Sequence, residues 1–288
     1  METIFIAGGL MVALLFFLSQ SLSKGLGSVG PALKQIGLFI LQKNPPGLVD
    51  VFDDKDGSGS RTWMNFGMLW LVFATLLGFL MGWHTYDPTA LDSLASVGWS
   101  YDDGSSLSDA TLNFLSIALL YGLIGSGMVA TARNGNGRLA SEANASMVAL
   151  LLSVILLATY ILPFIFGFLD IDTETGAVAT MLYSLETLAV GLLLVPIFIN
   201  LLITTANRGG KELQTSVWFL LMGVAAYILS MIYMFFGELA DATQMVWLAE
   251  RVAHGWVPLA LMFSVGYHVI PMTAVSYTHL TLPTILLV

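Results

Sequence analysis

Glu250, Arg251 and His254 stand close together in "ERVAHGWVPLALMFSVGYHVIP", residues 250–271, and their types and spacing allow chemistry. A helical separation of four stacks Glu250 and His254 on one face. A carboxylate so placed can orient an imidazole or take its proton, and a neutral imidazole held that way is a metal ligand. The run around them is apolar enough to lie in a bilayer, where a central Asp, Lys or Arg costs about 2.5–3.5 kcal/mol on insertion scales. The plainer account of His254 is a neutral histidine hydrogen-bonded between helices. Arg251 can pair with Glu250 or extend its head to the lipid headgroups. Pro258 loosens the backbone one turn beyond the histidine.

The other carboxylate at membrane depth is Glu186, in "YSLETLAVGLL". It suits a proton path, or equally a neutral acid hydrogen-bonded between helices. Asn200 on the same helix reads as interhelical hydrogen-bonding glue. His268 lies fourteen residues beyond His254, about 21 Å along a helix axis, so the two cannot hold one ion. His268 beside Tyr267 reads as interfacial, and His84 in "GWHTYDP" reads as part of an aromatic belt with Trp83 and Tyr86. The string "DDKDGSGS", 53–60, begins like a calcium loop, but the closing bidentate Glu is replaced by Asn65. It reads as a flexible, solvated acidic linker. The chain has 0 cysteines, which excludes disulfides, thiolate metal sites and a cysteine nucleophile. No catalytic residue can be assigned from these patterns.

These side chains must be positioned by membrane helices. Of the 288 residues, 57% are hydrophobic and 10% charged, against about 25% charged in soluble domains. That composition predicts an all-α, polytopic transmembrane helix bundle. A net charge of −9 removes nucleic acid as a partner and leaves the lipid bilayer. Seven spans are expected, at 3–20, 63–83, 109–131, 144–169, 178–204, 213–236 and 245–270. The first lacks the basic flank and cleavage site of a signal peptide and reads as a retained helix. Connections 21–62, 132–143 and 205–212 hold nine of the ten Lys and Arg residues, and the connections between them hold none. The positive-inside rule therefore places the N-terminus outside and the basic loops in the cytoplasm of a multi-pass plasma-membrane protein. The expected organisation is an extra N-terminal helix at 1–20, a cytoplasmic linker at 21–62, a helix bundle at 63–273 and a tail at 274–288. Segment 24–43 reads as an interfacial amphipathic helix or an ordinary part of that linker. The tail "VSYTHLTLPTILLV" resembles read-through ends of fragmentary translated sequences. The expectation is a native sequence that leaves this one near Thr273 and continues differently.

"WLAERVAHGWVPLALMFSVGYHVIP", 247–271, resembles the sixth core helix of the heme-copper oxidase subunit I superfamily, and "HGWV" is similar to the His-x-Trp-Val of bacterial nitric oxide reductases. Residues 217–247 resemble the fifth helix and outer connection of C-type cytochrome c oxidases, and "HTYDPTALD" is like the turn after the first core helix. The resemblance covers roughly 61–273. It implies a fragment of a respiratory catalytic subunit that passes electrons to oxygen or nitric oxide at a heme–metal centre. His254 is then one ligand of copper or non-heme iron, Glu250 its supporting partner, Glu186 a proton-path residue and Arg251 a heme-propionate contact. Heme and copper are the implied cofactors. Other respiratory-complex subunits and a cytochrome c or cupredoxin donor are the implied partners. The chain departs from the family at three places. Residues 108–122 carry no histidine for the low-spin heme, which puts that heme in doubt. Pro258 stands where A-type enzymes have tyrosine, and the histidines of the later core helices are not in this sequence. The fragment alone is expected to be inactive. The same polar residues also suit a transporter or channel, or a cofactor-free relative that keeps the bundle.

Overall fold

The computed structural model describes residues 54–92, 105–168, 176–209 and 212–285, and every regular element among them is helical. In hydrocarbon each backbone N–H and C=O must be paired within the chain, which an apolar helix does by itself. The elements are α1 (Ser58–Tyr86), α2 (Ser105–Asn134), α3 (Glu142–Phe168), α4 (Gly176–Ala206), α5 (Thr215–Leu239), α6 (Thr243–Arg251) and α7 (Val257–Ile285). A single π-helical turn, Val252–Trp256, joins the last two. Among the described residues six stretches are long and apolar enough to cross a membrane, α6, the π-turn and the first part of α7 forming one of them. The chain is therefore a multi-pass membrane protein. The expected span at 3–20 and the segment at 24–43 lie outside the described residues.

Small residues let α1 and α2 meet closely. A Cβ on Gly67 would sit 3.0 Å from the backbone nitrogen of Gly122, and one on Gly125 would sit 3.0 Å from the Trp63 Cβ. Close backbone approach of this kind drives helix association where lipid removes the hydrophobic incentive. α3 packs on α1 and α4, while α5 packs on α4, α2 and α7. Trp63 and Tyr121 are fully buried with ring centroids 4.8 Å apart. Their polar atoms are paired. Trp63 Nε1 donates to the Ala145 carbonyl at 2.9 Å, Trp70 Nε1 to Ser153 Oγ at 3.2 Å, Ser153 Oγ to the Tyr121 hydroxyl at 2.8 Å, and that hydroxyl to the Ala149 carbonyl at 2.8 Å. This chain of donors fastens α1, α2 and α3 without an unsatisfied group.

One end of the bundle is tied by reciprocal caps. Asp54 Oδ1 accepts from the backbone nitrogens of Glu142 and Ala143, at 3.1 and 3.2 Å, at the start of α3. Glu142, fully buried, accepts from Gly57 N at 3.1 Å and Gly59 N at 2.9 Å at the start of α1, and from Leu139 N at 3.0 Å. Orphan N–H groups at two helix starts are thus satisfied by carboxylates from each other's neighbourhood. Gly57 makes the turn with φ 78°, a left-handed conformation natural to glycine. Arg138 bridges Asp54 and Asp56 at 3.1 and 3.4 Å. The reading of 53–60 as a flexible, solvated linker is therefore corrected from Asp54 onward, where the string docks and begins α1 five residues before the expected start. The same 134–142 connection reaches α4. Asn200 accepts from Ser141 N and donates to Ser141 O, and Thr204 Oγ1 accepts from Ala140 N.

Opposite this corner, α1 ends in a turn at Asp87. Its Oδ1 accepts from the Thr89 hydroxyl at 2.8 Å and the Thr89 N–H at 3.0 Å. The two donors hold its carboxyl below the usual range. Leu91, just beyond, is buried with Leu77 and Leu107.

Candidate functional site

The π-turn is local sequence chemistry. Pro258 has no N–H to offer the carbonyl four residues back, and its ring would collide with that carbonyl in a regular helix. That residue is His254. The chain widens by one residue instead, and Val257 N donates to the Val252 carbonyl across five positions. Single π-turns inside α-helices frequently mark functional sites. This one carries His254 at its centre.

The structure revises how His254 is held. Its Nδ1 lies 3.2 Å from the backbone carbonyl oxygen of Glu250. A carbonyl can only accept, so Nδ1 carries the hydrogen and the neutral ring leaves its lone pair on Nε2. The expected support from the Glu250 carboxylate is thus replaced by its main chain, because the spacing of four brings a histidine as close to the preceding turn's carbonyl as to its side chain. Arg251 does not reach Glu250 in an ion pair. Its guanidinium lies 5.5 Å from the centroid of the Trp247 ring, a cation–π contact with a flat, extended partner.

His254 and Glu186, remote in sequence, line one cavity of about 310 Å³. The walls come from α2, α3, α4, α5, the π-turn and α7. Val257 and Leu261 form part of its buried floor, while Asn113, Ser116 and His254 are exposed and mark its mouth. Most wall residues fall in the half of their helix that lies away from the Arg138 corner, with Leu120 and Leu123 just past the middle of α2. Residues 113–119 lie early in α2 and 186–190 early in α4, whereas 227–234 lie late in α5. At 1.5 Å per residue, Asn113 and Glu186 sit about 12–15 Å from their helix starts, within the stretches apolar enough to cross a membrane. Glu186 is half-buried beside Thr159, whose hydroxyl donates to the Ile155 carbonyl at 3.0 Å. No Lys or Arg lines the cavity among the described residues.

The other histidines are elsewhere. His268 Nε2 lies 3.4 Å from Arg133 Nη1, which also donates to Met272 Sδ at 2.9 Å. That is the Arg133 end of α2, away from the cavity. His84 sits in the last turn of α1, beside exposed Trp83 and Tyr86, and is not on the cavity wall. Among the described residues no three His, Asp or Glu side chains converge as a metal set. Measured against a heme or a binuclear metal centre, the described residues of the cavity fit one ligand position, Nε2 of His254. Sequence reasoning missed Thr159, Tyr160 and Tyr227 as neighbours of the site. A hydroxyl on an apolar helix has no pattern that says which neighbouring helix it will face.

No family model, no curated protein and no solved structure matches this chain.

Proposed function

We propose that this chain is part of the catalytic subunit of a membrane-bound respiratory reductase of the heme-copper type, acting on oxygen or nitric oxide. The observation that carries the reading is the π-turn, which presents His254 with a free Nε2 at the mouth of an intramembrane cavity. The sequence resemblance over 247–271 makes the same histidine a ligand of copper or non-heme iron. Heme and metal would supply the electron transfer, and this chain's share is to hold one imidazole in a fixed tautomer. Glu186 on the same cavity suits delivery of protons through a low-dielectric wall. Glu250 contributes its carbonyl, and Arg251 remains the candidate contact for a propionate or the headgroup layer.

The test uses the full-length protein. Its reduced-minus-oxidised spectrum should show heme, and metal analysis should show copper or iron that falls to background in His254→Ala. A whole protein with neither metal removes the reading, and unchanged metal in the variant removes the ligand. The basic loops are proposed to be cytoplasmic and the membrane the plasma membrane, with a cytochrome c or cupredoxin as donor and other respiratory subunits as partners.

A second reading has its own observation. Glu186 and His254 share a cavity with no Lys or Arg in its wall, the composition of a polar pathway for a cation or proton. Uptake by the purified chain in liposomes, abolished by Glu186→Gln, would favour it over the first.

A further inference from the structure

We propose that the cavity in the half of the bundle away from Arg138 binds a lipophilic amine, with the ammonium group against Glu186. The inference deepens the pathway reading by naming its substrate class. A carboxylate half-buried in an apolar wall is stable only if it is neutralised, and no Lys or Arg on the wall can do so among the described residues. The Thr159 hydroxyl beside it gives its hydrogen to the Ile155 carbonyl, and a carboxylate offers about four accepting positions. These are open to a cation that arrives from outside.

The rest of the wall suits the organic part of such a ligand. Leucines and Met231 and Met234 supply an apolar, adaptable surface. Tyr160 and Tyr227 supply aromatic rings, whose faces attract an ammonium. Tyr160 is fixed by an edge-on contact with Phe114 at 4.6 Å between centroids. A volume of about 310 Å³ lies at the small end of ligand pockets and takes a single-ring amine. The exposed mouth residues Asn113, Ser116 and His254 open the cavity sideways, toward the layer where lipophilic amines concentrate. His254 contributes its ring to the rim.

The experiment titrates the full chain in lipid nanodiscs with benzylamine, benzyltrimethylammonium and neutral benzyl alcohol, following heat. Both cations should bind saturably and the alcohol about tenfold more weakly or worse. Glu186→Gln, close in shape, should weaken both cations about tenfold while leaving the alcohol and the helical circular dichroism unchanged. Equal affinity for charged and neutral probes, no saturable binding, or cation binding unchanged in Glu186→Gln overturns the proposal; the first of these is the result expected if Glu186 is simply a protonated acid. Uptake is measured separately, so that binding without transport retires the pathway reading and supports the site.

Discussion

At the scale of single residues, His254 depends on Pro258 more than on Glu250. The proline denies His254 a partner for its carbonyl and thereby forces the π-turn, whereas the Glu250 carboxylate does not touch the ring. Pro258→Ala restores an N–H where a regular helix can use it. The expected result is a more stable protein, by about 1 kcal/mol, since proline inside an uninterrupted helix costs roughly 3 kcal/mol and the wider turn already absorbs part of that. The same change should rotate His254 away from the cavity mouth, so metal content of the full-length protein should fall although its melting temperature rises. Stability and metal rising together would show that the turn does not position the imidazole. Glu250→Gln keeps the main-chain carbonyl and should leave metal content within about twofold of the parent, less than half a kcal/mol. The sequence made the helical face shared by positions 250 and 254 legible, because spacing alone fixes it. It did not disclose that the carbonyl rather than the carboxylate would meet the ring, since a spacing of four places both groups of Glu250 on the side of His254.

At the scale of elements, the firmest joint is the crossed capping between α1 and α3. Glu142→Ala would leave three buried N–H groups, those of Gly57, Gly59 and Leu139, without an acceptor. A lost cap costs about 1 kcal/mol and an unsatisfied buried donor about 1–3 kcal/mol, so a loss of roughly 3 kcal/mol is expected in detergent thermal unfolding. Glu142→Gln keeps one acceptor oxygen and should fall between. A drop within error for the alanine variant would mean that water replaces the carboxylate. On the neighbouring seam, Gly67→Val should separate α1 from α2, since even a Cβ meets the Gly122 backbone at 3.0 Å. Hydropathy found the six long apolar stretches among the described residues because the bilayer demands them, but it ran α6, the π-turn and α7 together as one span. The caps escaped it. Asp54 and Glu142 lie 88 residues apart, and acidic residues in short polar stretches look the same whether they are solvated or clasped.

At the scale of the whole molecule, function separates into two ends. Arg138, Asp54, Glu142, Arg133 and His268 gather where α1 begins and α2 ends, while the cavity with Glu186 and His254 occupies the opposite half. Charge in the loops led to the same division, because positions that must stay in one compartment are marked by Lys and Arg irrespective of how the helices pack. The helix order agrees with that alternation, but helices alone do not say which end faces the cytoplasm. The absence of cysteine makes the question directly measurable, since any thiol introduced is the only one. Asn136→Cys sits in the connection before Arg138, and Ala242→Cys sits between α5 and α6 at the cavity end. In intact cells a membrane-impermeant maleimide should label Ala242→Cys at once and Asn136→Cys only after permeabilisation. That outcome would turn the cavity mouth outward, where His254 faces a donor or an amine arriving from the outer leaflet. The reverse pattern would place the same mouth on the cytoplasmic side, reverse the direction in which Glu186 could pass a proton, and contradict the assignment drawn from the nine loop cations.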